Sequence, residues 1–399
     1  MNTIKKALLL SVMAGFVASC GDDDTNGTTP TGNGDGSQNG IITSLTDPDY
    51  SATALKGVIG ADIELPAGEY VLTGGLIVRS PYTLKLAPGT TIKAATGGTD
   101  VYVLVEQGGK LDAQGTAAAP ITFTSNAATP APGNWGGVIL CGYAPISGGG
   151  TAVTEVVDHF YGGDNTNDNS GKLDHVVIKY SGARVNGEKE FNGLTLYGVG
   201  KGTAINNIAI YNGDDDAIEF FGGSVDVKNL LVVNAKDDMI DWTQGYVGNV
   251  TNAYAIREQN YLGLSSDPRG IEADGNLDGL SPNQAGQSNP TISGLTIVNN
   301  ANVLLSDIIK IRRGSGVKLT NALVKYGTAA TIAPDDFVDC TDGAGDAAAG
   351  TTLTVLANGA ALNITDNKVG ANNATISVTQ GTTGGADTSV FTWTGYSFQ

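Results

Sequence analysis

Acidic side chains recur at a fixed interval in the middle of this 399-residue chain. Asp216-Ala217-Ile218-Glu219-Phe220 returns 22 positions later as Asp238-Met239-Ile240-Asp241-Trp242. A looser copy, Asn192-Gly193-Leu194-Thr195-Leu196, comes before them. Arg269-Gly270-Ile271-Glu272-Ala273 and Asp307-Ile308-Ile309-Lys310-Ile311 come after. If each copy is a strand stacked on the last, the fourth positions form one column: Thr195, Glu219, Asp241, Glu272, Lys310. The first positions form another: Asn192, Asp216, Asp238, Arg269, Asp307. Asp214, Asp215 and Asp237 fall at the preceding corner. Like charges about 5 Å apart repel by roughly 1–3 kcal/mol per pair at surface dielectric. Relief must come from protonation, from arginine and lysine, or from a bound cation.

Three chemistries answer that need. In a salt-bridge ladder, Arg257, Arg269, Lys310 and Arg312 neutralise the columns. In a calcium site, Asp215, Asp216, Asp237 and Asp238 supply ligands, because an oxygen-only set suits Ca²⁺ over transition metals. In a catalytic set, Glu219, Asp241 and Asp238 work with Lys310, since carboxyls about 5–5.5 Å apart serve retaining glycosidases. Arg257, Arg269, Glu272, Tyr261 and Arg312 are the candidate ligand contacts. Tyr261, Arg269 and Glu272 lie in an insertion over 259–290, the longest break in the rhythm, where a solenoid builds its binding face.

Strands must carry these columns. A second phrase, asparagine followed by apolar alternation, starts at Asn207, Asn229, Asn252 and Asn321. Two interleaved strand phrases at a period near 22 describe a solenoid whose turns cannot bury their apolar faces alone. The period is too short for two packed helices, so the chain is read as all-β, a parallel β-helix over 41–349. His175 shares the asparagine position, which predicts an internal hydrogen-bonding ladder at a corner. Asp164–Gly171 alternates oxygen side chains but lacks the glycine and distal glutamate of a calcium loop, which favours a polar turn. Residues 350–399 are expected to form a β cap whose terminal aromatics close the open end. Cys141 and Cys340 lie too many turns apart for a bridge, unless the C-terminal part folds back.

Charge narrows the partners. The net charge is −18, and removal of residues 1–19 would leave 20 basic against 40 acidic residues. Such a surface repels nucleic acid. It also repels polyanionic glycans unless divalent cations bridge them.

Lys5 and Lys6, followed by apolar residues 7–17, read as a signal peptide over 1–19. Val17-Ala18-Ser19-Cys20 resembles a bacterial lipobox, which implies lipid on Cys20 and anchoring to a membrane. Residues 20–40, rich in Gly, Thr, Asn and Asp, read as a flexible tether. Beyond them, Leu55-Lys56-Gly57-Val58-Ile59, Gly75-Leu76-Ile77-Val78, Leu84-Lys85-Leu86-Ala87-Pro88-Gly89-Thr90-Thr91-Ile92 and Gly133-Asn134-Trp135-Gly136-Gly137 carry a further resemblance. The chain resembles the pectin-lyase-like β-helix surface lipoproteins of Gram-negative bacteria. That resemblance implies a single-stranded right-handed parallel β-helix at the outer membrane, exposed on the cell surface. It carries no assigned reaction. Asp215-Asp216, Asp237-Asp238 and Lys310-Ile311-Arg312 also resemble the acidic strands and basic triplet of polygalacturonase-type hydrolases, but no Gly-His-Gly lies between them. The expected function is binding of an extended polysaccharide by a monomer, with calcium as a candidate bridging ion. A lyase or glycoside hydrolase of acidic polysaccharide is the alternative, and a purely structural surface or adhesion protein is the second.

Overall fold

The computed structural model describes residues 40–185, 189–258, 261, 265–276 and 283–398. The signal segment, most of the tether with Cys20, and parts of the 259–290 insertion lie outside the described residues.

The chain winds into a parallel β-helix. Each middle turn gives a short strand to a first sheet: Leu194–Tyr197, Ile218–Phe221, Ile240–Thr243, Arg269–Ala273, Asp307–Lys310 and Asp336–Asp339. A long bent strand follows each and is shared by two further faces, as in Ala204–Tyr211, Asp226–Val233, Asn249–Arg257, Thr291–Asn299 and Lys318–Tyr326. All of these pair in parallel with the turn before. Side chains alternate across a strand, so Ile218, Phe220, Ile240 and Trp242 enter the core while Glu219 and Asp241 point outward. Phe220 stacks on Tyr246 at 4.1 Å, and the Trp242 indole donates to Ser315 Oγ at 3.0 Å. Each such large apolar side chain contributes about 1.5–3 kcal/mol by leaving water.

The asparagine phrase marks the bend in the long strands. His175, Asn207, Asn229, Asn252 and Asn321 take φ of 48°, 52°, 59°, 61° and 49°. Among non-glycine residues, asparagine adopts this left-handed conformation most readily. Nδ2 of Asn229 donates to Asn207 Oδ1, and Nδ2 of Asn252 to Asn229 Oδ1, both at 2.9 Å. The ladder is therefore present, but it is half-buried at a corner rather than internal. His175 pairs with Asp174 at 2.7 Å and meets Trp393 edge-on.

Two expectations about the C-terminal region are corrected. Thr352–Asn358 and Thr375–Gln380 stack in parallel on the preceding long strand, so the solenoid continues past residue 349. The aromatic tail does not plug the end. It folds back along the side, where Phe391, Trp393, Tyr396 and Phe398 pack against Val177, Ala209, Leu231, Tyr254 and Ile256. The outward residues there are apolar, and the tail covers them. Asn252 and Asn321 hold this tail through reciprocal bonds to the backbone of Asp387 and Gly385. Cys141 and Cys340 are free and buried. Asp168 of the oxygen-rich segment is buried as a turn anchor that accepts from Ser170 Oγ at 3.1 Å.

Candidate functional site

The outward column of the first sheet changes character from turn to turn. Ile77, Leu104, Ile139, Thr195, Glu219, Asp241 and Glu272 are successive register partners, and Lys310 partners Asp339 beyond them. The apolar members are roofed by a hairpin, Ala152–Val153 with Phe160–Tyr161, and by Phe191. Where the roof ends, the acidic stretch opens into a cavity of about 160 Å³. Its walls are Glu155, Glu190, Asp215, Asp216, Glu219, Asp237, Asp238, Asp241, Asp267 and Glu272, ten carboxylates, with Arg269 alone carrying positive charge.

Stacking in register brings both predicted acidic columns into one hollow. Asp216 Oδ1 accepts from the Asp238 amide at 2.7 Å, and Glu219 Oε2 accepts from Asn192 Nδ2 at 2.5 Å. Asp238 is 3 % exposed and Asp241 9 %, so the surface dielectric assumed from sequence understates their repulsion. Among the described residues, no ion pair reaches Asp216, Glu219 or Asp241. The Oδ1 atoms of Asp238 and Asp241 and the Oδ1 of Asn192 are buried without a hydrogen-bond partner. Burial, reinforced by like-charged neighbours, pushes the carboxyls of Asp216, Glu219, Asp238 and Asp241 well above their usual range. Burial does the same to Asp215, against a countervailing pull from Arg184.

Toward the C-terminus the same column is neutralised. Arg269 lies 2.6 Å from Glu272, 3.1 Å from Asp307, 3.2 Å from Asp267 and 3.8 Å from Asp238. Arg312 reaches Glu272 at 2.9 Å and Asp274 at 2.7 Å. Lys310 Nζ sits 2.6 Å from Asp339, and Lys368 Nζ is 2.5 Å from Asp336. Burial would raise Asp339, but hydrogen bonds from Lys310 and Thr341 outweigh it and hold the carboxyl below its usual range.

Four predicted residues are therefore placed differently. Arg257 cannot meet a ligand, because it is 0 % exposed and its Nη2 donates to the backbone carbonyls of Asp237 and Arg269. It clamps the floor from behind. Lys310 is paired with Asp339 outside the cavity, so it does not join Glu219, Asp238 and Asp241, and Arg312 stands behind the wall, bound to Glu272 and Asp274. Tyr261 is half-buried beside the Gly213 carbonyl and does not line the cavity. Arg269 and Glu272 do line it. The metal set divides: oxygens of Asp215, Asp216 and Asp237 lie within 4.8 Å of one another, whereas Asp238 groups with Asp241 and Glu272. Sequence reasoning missed Glu155 and Glu190, which arrive on the roof hairpin and on the loop before Asn192. No periodic signal marks either. It also missed Phe160, 64 % exposed on that hairpin opposite Val153.

Residues 57–397 match the model of the pectate-lyase-like β-helix domain family. The chain belongs to that family. No curated protein matches it. Two solved structures match parts of the chain at low identity. The Dettilon tailspike protein shares 10 % identity at a TM-score of 0.33, over 81 % of this chain and 62 % of its own length. The chain thus spans less than two thirds of the tailspike. The catalytic domain of an α-1,3-glucanase of family GH87, solved with tetrasaccharides, shares 12 % identity at a TM-score of 0.33, over 90 % of this chain and 70 % of that domain. The acidic cavity beside the roof of the first sheet lies within the residues that match this family.

Proposed function

We propose that this pectate-lyase-like β-helix binds an extended polysaccharide along its first sheet, held at the outer membrane by lipid on Cys20. The observation that carries the binding site is the cavity itself, with buried acceptor oxygens that none of the described residues satisfies. An unpaired buried acceptor costs about 1–3 kcal/mol, so an occupant that donates to it is favoured. A face that repeats at every turn suits a ligand that repeats too, and the family's likeness to pectate lyases supports a glycan. The oxygen-only triad of Asp215, Asp216 and Asp237 fits calcium, which would supply positive charge at that end. A glycan array probed with the purified chain, with and without calcium, tests the reading. Binding to one glycan class is the expected result, and silence in both conditions contradicts it. Fractionation of cells carrying Cys20→Ala should move the protein off the membrane, and retention would count against the lipid.

One observation favours an enzyme as the second reading. Asp216, Asp238 and Asp241 are neighbouring carboxyls that burial and like charge push well above their usual range, the direction a general acid needs. Release of reducing ends or unsaturated uronate from an acidic polysaccharide, abolished in Asp238→Ala, would establish it. An inert panel leaves binding alone.

A further inference from the structure

The unsatisfied oxygens of Asn192, Asp238 and Asp241 are all acceptors, whereas the unpaired Nε and Nη1 of Arg257 are buried behind the floor, outside the cavity walls. Asp238 Oδ1, Asp241 Oδ1 and Asn192 Oδ1 can receive a hydrogen bond, and as carboxylate or amide oxygens they offer none. Among the described residues that line the cavity, no unpaired donor awaits a ligand carboxylate. Arg269, the one cation in the walls, is already shared among Asp238, Asp267, Glu272 and Asp307. Among the described residues, a uronate entering here would meet ten carboxylates and no uncommitted positive group in the walls.

The two ends of the cavity also differ in what cation they suit. At Asp215, Asp216 and Asp237 the acids stand together, with one guanidinium, that of Arg184, 3.3 Å from Asp215. Around Asp238 and Asp241, two guanidiniums are close by: Arg269 Nη1 lies 3.8 Å from Asp238, and both Arg269 and Arg312 hold Glu272. A divalent ion placed there would be repelled by both arginines. A singly charged donor suits this partly neutralised end better, and an ammonium offers three N–H bonds to acceptors that lack partners.

We infer that the carboxylates of Asp238 and Asp241 receive the ammonium of an amino-sugar residue, so that the polysaccharide bound on this face is cationic rather than acidic. This rests on the polysaccharide reading and names its substrate class. The positive charge required by the cavity is then carried in by the ligand, and binding needs no added metal at this end. Proton competition follows. Acidification protonates Asp238 and Asp241 and weakens capture of the ammonium.

Calorimetry with four probes tests the inference: a glucosamine tetramer, its N-acetylated counterpart, a neutral glucose tetramer and an oligogalacturonide. Each is titrated at physiological salt into the full chain, with calcium and with chelator. The expected result is that the glucosamine tetramer binds at least ten-fold tighter than the other three with chelator present. Asp238→Asn and Asp241→Asn should each cost it about ten-fold, while Glu69→Gln, an exposed acid outside the cavity, changes nothing. The asparagine variants relieve repulsion, so melting temperatures at or above wild type will show that they fold. Equal or tighter binding of the acetylated, neutral or uronate tetramer overturns the inference and leaves the polysaccharide reading intact. Amine binding that is indifferent to both asparagine variants also overturns it, because the charge is then read elsewhere on the surface. If no saccharide binds, the inference and the broader reading fail together.

Discussion

Two stretches of one sheet, a few turns apart, solve the same electrostatic problem in opposite ways. At Glu272, Asp307, Asp336 and Asp339, stacked acids are met by Arg269, Arg312, Lys310 and Lys368. At Asp216, Glu219 and Asp241, stacked acids meet one another. Backbone geometry is shared, so the difference lies in which residue the repeat places at each position. Where lysine or arginine takes the column, the face is a closed ladder that stabilises the coil. Where it stays acidic, the face keeps an unsatisfied demand for positive charge. That contrast separates the structural part of the column from the part equipped to bind.

Breaking the paired stretch should have the largest effect. Arg269→Ala strips the counter-ion from Asp238, Glu272 and Asp307 at once. Removing one partner of a buried pair costs about 3–5 kcal/mol, so chemical denaturation should show a loss of that order. A loss under 1 kcal/mol would mean the ladder is dispensable. Asp241→Asn should act in the opposite sense, because it deletes a buried charge that repels its neighbours. A gain on the order of 1 kcal/mol at pH 7 is expected, as when a buried uncompensated charge is replaced by a neutral side chain of like volume, and a loss would show that Asp241 is already compensated. Phe160→Ala, on the roof hairpin, should change stability by no more than about 0.5 kcal/mol while weakening glycan binding a few-fold. Unchanged affinity would confine the site to the cavity.

The repeat was legible because its physics is local. An outward position every 22 residues can only stack, and Glu219, Asp241 and Glu272 do. Burial was not legible. Walls such as Glu155 and Glu190 are carried on segments outside the repeat, and the place of Glu155 depends on where the hairpin lands. Arg257 misled for a related reason. Its position fits the rhythm, but it ends a strand on a different face and reaches the site only through backbone carbonyls. The aromatic tail failed as an end plug because sequence shows that Phe391 and Trp393 need cover without showing which surface supplies it. The asparagine ladder succeeded because a left-handed bend restricts which residues fit, and the same residue type recurs.

The pH dependence of stability tests the contrast most directly. Asp216, Glu219, Asp238 and Asp241 have folded-state values raised above the unfolded ones. The native state then binds the extra protons, and these groups support folding most fully below about pH 4, the unfolded carboxylate range. That support is lost as pH rises through the folded values. Denaturation in chelator from pH 8 down to pH 5 should therefore show wild type becoming more stable. The double variant Asp238→Asn with Asp241→Asn should show a flatter slope and a higher value at pH 8. A wild type that loses stability on acidification in step with the double variant would contradict the account, since the acids of the cavity would then be compensated in the folded chain.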